Sequence, residues 1–152
     1  MAEMLTLIRP AGPPSERLGR VLSAALEDRS WEQVSWLTDS LTDRRLLFAL
    51  SLGEGGAGHG LCDLLAFLRT HPGCLRGSIG GVLVDGPGDQ YTKAAGRELV
   101  LSASLAGCTF PGRSLVEATG SLRNFTVQAR NFGCTLEEAY LRAAADLADR
   151  VS

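Results

Sequence analysis

The sequence lacks any cluster of Lys and Arg that would make a basic face. Its 15 basic residues stand against 17 acidic ones, giving a formal charge of -2. Tight nucleic-acid binding draws on such a cluster to displace counterions from phosphates, so nucleic acid is not an expected partner. No apolar run approaches the roughly 18 residues that a membrane span needs, so a membrane is not expected either. The first residues, "MAEMLTLIRPAG", have neither the basic region nor the cleavage-type apolar region of a signal peptide. Cys62, Cys74, Cys108 and Cys134 are scattered, with no C-x-x-C and no Cys/His grouping, so no metal site is expected. A chain of 152 residues buries a core without staples. The cysteines are therefore read mostly as buried free thiols in a reducing cytoplasm. Internal repeats, low-complexity tracts and linkers are also missing, which predicts a single domain over residues 1–152.

What is present reads as alternating strands and helices. Met4–Ile8 is a short apolar strand cut off by Pro10. Leu18, Val21, Leu22, Ala25 and Leu26 repeat at helical spacing on one face, with Pro13 and Pro14 at the entry and Ser15 placed to cap. Trp31–Leu37, with its two tryptophans, alternates as an outer strand does, whereas Arg44–Leu52 is a continuous apolar run, the mark of a strand covered on both faces. Leu61, Leu64, Leu65 and Leu68 give a second helix, ended by Pro72 and Gly73. Gly77–Val84 is a fourth, buried strand that ends at Asp85. A third helix follows with Tyr91, Ala94, Ala95, Leu99 and Ala103 inward, stopped by Gly107. Ser114–Gly120 is a fifth strand, followed by a short helix with Leu122, Phe125, Ala129 and Phe132 on one face. Thr135-Leu136-Glu137-Glu138 is a capping box opening a last helix over Leu136–Val151.

Strands alternating with helices predict an α/β fold, a three-layer doubly wound five-stranded parallel sheet. The most apolar runs belong in the middle and the tryptophan strand at an edge, which gives the flavodoxin-like order 2-1-3-4-5. Ligands of such sheets sit outside the carboxyl ends of the strands, where the order reverses. The predicted site is therefore built by Arg9–Arg17, Ser51–Gly60 and Asp85–Tyr91.

Gly53, Gly55 and Gly58 make a literal G-x-G-x-x-G, but they follow the third strand rather than the first. The next strand-end acid, Asp85, also comes too late for a dinucleotide fingerprint, so a ligand-facing loop is the better reading. Cys108 to Ser114 is one residue short of the C-x5-R-S phosphate loop of low-molecular-weight tyrosine phosphatases and precedes a strand instead of following one. Asp85 ends a strand as the phospho-acceptor of receiver domains does, but "LIRPAG" lacks the acidic pair that holds Mg²⁺. Taken alone, Asp85 reads as an acid that starts a turn or caps the third helix. Thr119, Asn124, Gln128 and Asn131 form a polar set after the fifth strand, read as bonding the sheet edge rather than lining a pocket.

The order of elements, with "IRPAGPPSER" after the first strand and glycine-rich loops after the third and fourth, resembles the flavodoxin-like NAD(P)H-dependent FMN reductase family. The resemblance spans the chain as an arrangement of elements. It implies FMN as cofactor, its phosphate near Arg9 and Ser15. The ring would lie against Gly53, Glu54, Gly55, Gly56, Gly58 and His59 on one side and Asp85, Gly86, Gly88 and Tyr91 on the other. It further implies NAD(P)H as co-substrate, a flavin or nucleotide as small-molecule partner, and a homodimer. No catalytic side chain is required, because hydride passes between cofactors. The first loop departs from the family's hydroxyl-rich pattern: Pro10, Pro13 and Pro14 carry no N–H, and Glu16 is acidic. Those departures support the other reading of this sequence, a flavodoxin-like domain that has lost its flavin and serves as a binding or regulatory module.

Overall fold

The structure is a computed structural model that describes residues 4–35, 37 and 39–152. Strands β1 (Leu5–Ile8), β2 (Trp31–Val34), β3 (Arg45–Ser51), β4 (Ile79–Asp85) and β5 (Leu115–Ala118) form one sheet in the order β2-β1-β3-β4-β5. Every neighbouring pair is parallel, in registers that set Leu5 against both Trp31 and Arg45, Arg45 against Ile79, and Val82 against Leu115. The predicted order and direction hold. Their cause is burial: the interior of β3 from Leu46 to Leu50 and of β4 from Gly80 to Asp85 is wholly buried, whereas β2 alternates and leaves Trp31 exposed at the edge. Trp36, the other tryptophan of the expected outer strand, lies outside the described residues.

Helices cover both faces. On one face α1 (Glu16–Ala25) and α5 (Leu136–Val151), with α4 (Thr126–Phe132) and a 3₁₀ turn (Arg123–Phe125), close over Leu5, Leu7, Leu47, Ala49 and Leu83. On the other face α2 (His59–Thr70) and α3 (Thr92–Leu105) cover Ile8, Leu46, Phe48, Leu50, Val82 and Val84. Alternate residues of β3 thus serve opposite cores, as a strand buried on both sides requires. The caps act as expected. Ser15 accepts from the Leu18 N–H at 3.2 Å, and Thr135 accepts from the Glu138 N–H at 3.1 Å.

Two helix faces differ from the sequence expectation. Helix α3 begins at Thr92 and turns Thr92, Gly96, Leu99 and Ala103 inward, leaving Ala94 and Tyr91 exposed. The reason is a close approach at Gly96, where a Cβ would sit 2.5 Å from the Leu115 Cδ1. A glycine contributes nothing to an apolar stripe, so the periodicity alone misplaces Tyr91 and Ala94, while Ala95, Leu99 and Ala103 pack inward as expected. In α4, Phe132 is exposed and lies beside the Arg142 guanidinium, 4.6 Å from its ring centroid, while Leu122, Phe125 and Ala129 pack inward as expected. The 3₁₀ turn ahead of α4 changes the angular spacing, and the last aromatic rotates out. Of the cysteines, Cys74 and Cys108 are buried, Cys134 is half-buried and Cys62 is exposed, all as free thiols.

Candidate functional site: a cleft at the switch point of the sheet

The last residue of β4 anchors the carboxyl end of the sheet. The Asp85 side chain is 5% exposed, and its carboxylate accepts from Arg17 Nε at 3.1 Å and from Arg17 Nη2 at 3.0 Å. Tyr140, fully buried on α5, donates its hydroxyl to the same carboxylate at 2.9 Å, and the Ser15 hydroxyl lies 3.5 Å from the other oxygen. Arg17 also donates to the carbonyls of Gly120 at 3.1 Å, Thr119 at 3.0 Å and Gly86 at 3.3 Å. A planar guanidinium satisfies this set because its donors are fixed in a fork that matches carboxylate geometry. Burial, and next the Asp85 charge, hold the Tyr140 phenol above its ordinary value of 10.0, so it remains a donor. The sequence reading of Asp85 as a turn-starting or helix-capping acid is thus corrected. It is the hub that joins α1, β4 and α5.

Above this hub lies a cleft of about 460 Å³. That volume falls in the range of about 300–1,000 Å³ that small ligands occupy. It opens at the carboxyl ends of β3 and β4 beside the first turn of α1. Pro13, Pro14, Leu52 and Pro87 supply apolar walls, while Glu16 and Glu54 stand exposed in its lining. Ser51 donates to the Pro13 carbonyl at 2.6 Å, tying the loop after β1 to the end of β3. Behind it, the first turn of α2 packs so tightly against that loop that a Cβ at Gly60 would collide with the Ala11 carbonyl.

Of the residues expected at the site, Ser15, Gly53, Glu54, Asp85 and Gly86 line this cleft. Arg9 is half-buried just after β1, with its backbone N–H on the Val34 carbonyl, and does not line it. Gly53 and Gly56 exchange backbone hydrogen bonds at 3.2 and 3.1 Å, closing a tight turn in which Gly56 takes φ +97°. The exposed Tyr91, itself at φ +70°, lies next to Gly56 rather than in the cleft. Gly55 and Gly58 border open space, His59 is exposed at the start of α2, and the Gly88 carbonyl accepts from the Gly120 N–H at 2.8 Å. Arg17 closes the predicted Arg9–Arg17 stretch but was not among the expected cofactor contacts, and Tyr140 lay outside the predicted site altogether. Tyr140 carried one legible signal: a hydroxyl on the same helical face as Ala144, Leu147 and Val151 needs a buried partner. Among the expected polar set, Asn124 donates to the Glu117 carbonyl at 2.6 Å and Thr119 bonds Asn124 at 3.2 Å, so both serve the edge of the sheet. Among the described residues, no three His, Cys, Asp or Glu side chains converge on a metal-sized space, and no helix is long and apolar enough to cross a membrane.

The donor set decides how well FMN fits. A phosphate needs converging N–H groups or cations. Pro10, Pro13 and Pro14 offer none, Ser15 is committed to its own helix and to Asp85, and Arg17 is turned inward. The N-terminus of α1 supplies about half a positive charge, against the full charges of Glu16 and Glu54. These residues do not fit a phosphate. What the lining offers instead is the apolar surface of Pro13, Pro14, Leu52 and Pro87.

No protein-family model matches the sequence, and no curated protein does. Among solved structures the fold is similar to that of a flavone reductase, with 11% identity and a TM-score of 0.61 over 97% of this chain. That match covers 62% of the flavone reductase, so this chain spans less than two thirds of its length. A short-chain flavodoxin associated with a non-canonical PDU bacterial microcompartment matches at 12% identity and a TM-score of 0.61, over 99% of this chain and 100% of that one. An azoreductase from Bacillus anthracis matches at 10% identity and a TM-score of 0.59, over 98% of this chain and 100% of that one. At these identities the likeness establishes the fold, which is flavodoxin-like.

Proposed function

We propose that the protein binds a flavin ring in the switch-point cleft and works as a flavodoxin-like oxidoreductase domain. The carrying observation is the cleft itself: it has apolar surface from Pro13, Pro14, Leu52 and Pro87 and lies outside the carboxyl ends of β3 and β4, where doubly wound sheets take their ligands. Two of the structural neighbours bear reductase names, which supports electron transfer as the activity. NAD(P)H as electron donor and a homodimer extend the same reading from the family resemblance, whereas the FMN that the resemblance implies meets a lining without a phosphate cradle. Free cysteines throughout support a reducing, cytoplasmic setting.

One observation favours the second reading, a flavin-free binding or regulatory module: the first loop presents no phosphate cradle. Flavin titration separates the two. Quenching of flavin fluorescence, or yellow colour retained through purification, is the expected result. No binding of either riboflavin or FMN at about 100 μM, meaning affinity weaker than about -5.5 kcal/mol, would leave only the module.

A further inference from the structure

We propose that the cleft selects the uncharged flavin, riboflavin, over its phosphorylated form FMN; this rests on the flavin reading above. The basis is the charge of the lining. Arg17, its one cationic side chain, is matched to Asp85 by a two-pronged contact, so Glu16 and Glu54 leave the lining with a formal charge of -2. Among the described residues neither glutamate has an ion-pair partner, and both stand at the opening, exposed. A ligand phosphate in this cleft meets carboxylates rather than cations.

The remaining hydrogen-bonding capacity points the same way. The Ser15 hydroxyl accepts from Leu18 and contacts Asp85, and the Ser51 hydroxyl donates to the Pro13 carbonyl. Both hydroxyls in the lining are therefore used within the protein. The walls of Pro13, Pro14, Leu52 and Pro87 bury an apolar surface without asking for charge. A tricyclic ring with an uncharged sugar-alcohol tail meets these terms, while a dianion at the tail's end is repelled. The repulsion acts between exposed groups, so it weakens as salt screens it over about 10 Å at 0.1 M.

Fluorescence-quenching titrations with riboflavin and with FMN, at low and at high salt, test this on the full chain. Riboflavin should bind at least ten-fold tighter at low salt, and the ratio should narrow at high salt. The double variant Glu16→Gln/Glu54→Gln should narrow the ratio by raising affinity for FMN more than that for riboflavin. Both substitutions are on the surface, so circular dichroism should show an unaltered fold. FMN binding as tightly as riboflavin, or tighter, would overturn the selection and leave the flavin reading standing. A ratio that the double variant does not move would overturn the carboxylates as its cause. Absence of binding by both flavins would overturn the flavin reading and this inference together.

Discussion

The guanidinium of Arg17 and the carboxylate of Asp85 meet as a fork across 68 residues of chain, at 3.1 and 3.0 Å, joining the first turn of α1 to the end of β4. Their side chains are 19% and 5% exposed, so the pair is mostly but not wholly removed from water. Arg17 reaches on to the carbonyls of Thr119 and Gly120, and the floor of the cleft is thereby held from three sides.

Removing one partner strands the other charge. Arg17→Met should cost about 3 kcal/mol, the low end of the range for breaking a buried pair, because Arg17 keeps some contact with water. Arg17→Met combined with Asp85→Leu should recover most of that loss, since apolar replacement of both partners leaves no orphaned charge. Urea denaturation measures both. A single-variant loss below about 1 kcal/mol would show the pair to be screened as exposed pairs are.

Tyr140 makes stability depend on alkaline pH. Its phenol titrates above the ordinary 10.0 in the folded protein, held there first by burial and then by Asp85. Its contribution is fully present below pH 10.0 and declines as pH rises beyond it, where the unfolded chain ionises and the folded one does not. Cys108, pushed up to about 12 by burial, adds to the same decline from its ordinary 9.0 upward. Tyr140→Phe should cost about 1 kcal/mol at neutral pH and make the alkaline fall in Tm shallower. Parallel alkaline slopes in wild type and variant would contradict the assignment.

At the acidic end, Asp89 ties the loop after β4 to the loop after β5. It accepts from the Ser121 hydroxyl at 2.8 Å and the Ser121 N–H at 3.2 Å, and those bonds, the hydroxyl first, hold its carboxyl below the ordinary 3.8. Its contribution is present above pH 3.8 and is lost as pH falls through the lower folded value. The Tm difference between wild type and Asp89→Asn should therefore be constant above pH 3.8 and close below it. A difference that ignores pH would rule the carboxylate out as its source.

Two glycines, Gly55 in the loop after β3 and Gly60 in the first turn of α2, should behave oppositely. Gly60→Ala drives a Cβ into the Ala11 backbone, which cannot turn aside as a side chain can, and should cost about 1–3 kcal/mol or more. Gly55→Ala meets nothing within 4 Å and should fall within about 0.5 kcal/mol of wild type. Equal melting temperatures for the two variants would mean that the first turn of α2 does not pack on the loop after β1 as described.

Periodicity, capping and apolar runs belong to a few neighbouring residues, and the sequence by itself determined whatever depends on them. The stripe of Leu18, Val21 and Leu22 made α1, the Thr135 box opened α5, and the unbroken run through Phe48 and Leu50 put β3 inside the sheet. Strand order followed, because a doubly wound sheet buries its most apolar strands and leaves one like β2 at the edge. The loops that build the cleft were legible for the same reason, since strand order places the switch point. The partners of Asp85 were decided only by tertiary structure. Arg17 and Tyr140 lie 68 and 55 residues from it, and neither carries a local pattern that says what it will touch. Tyr91 turned outward and Gly96 inward because α3 settles with Gly96 against the side chains of Leu115 and Val84, a contact between distant segments that leaves no room for a Cβ. Hydrogen-bond partners across the fold are chosen by which elements pack together, and that choice is collective: it exists only once the layers have closed.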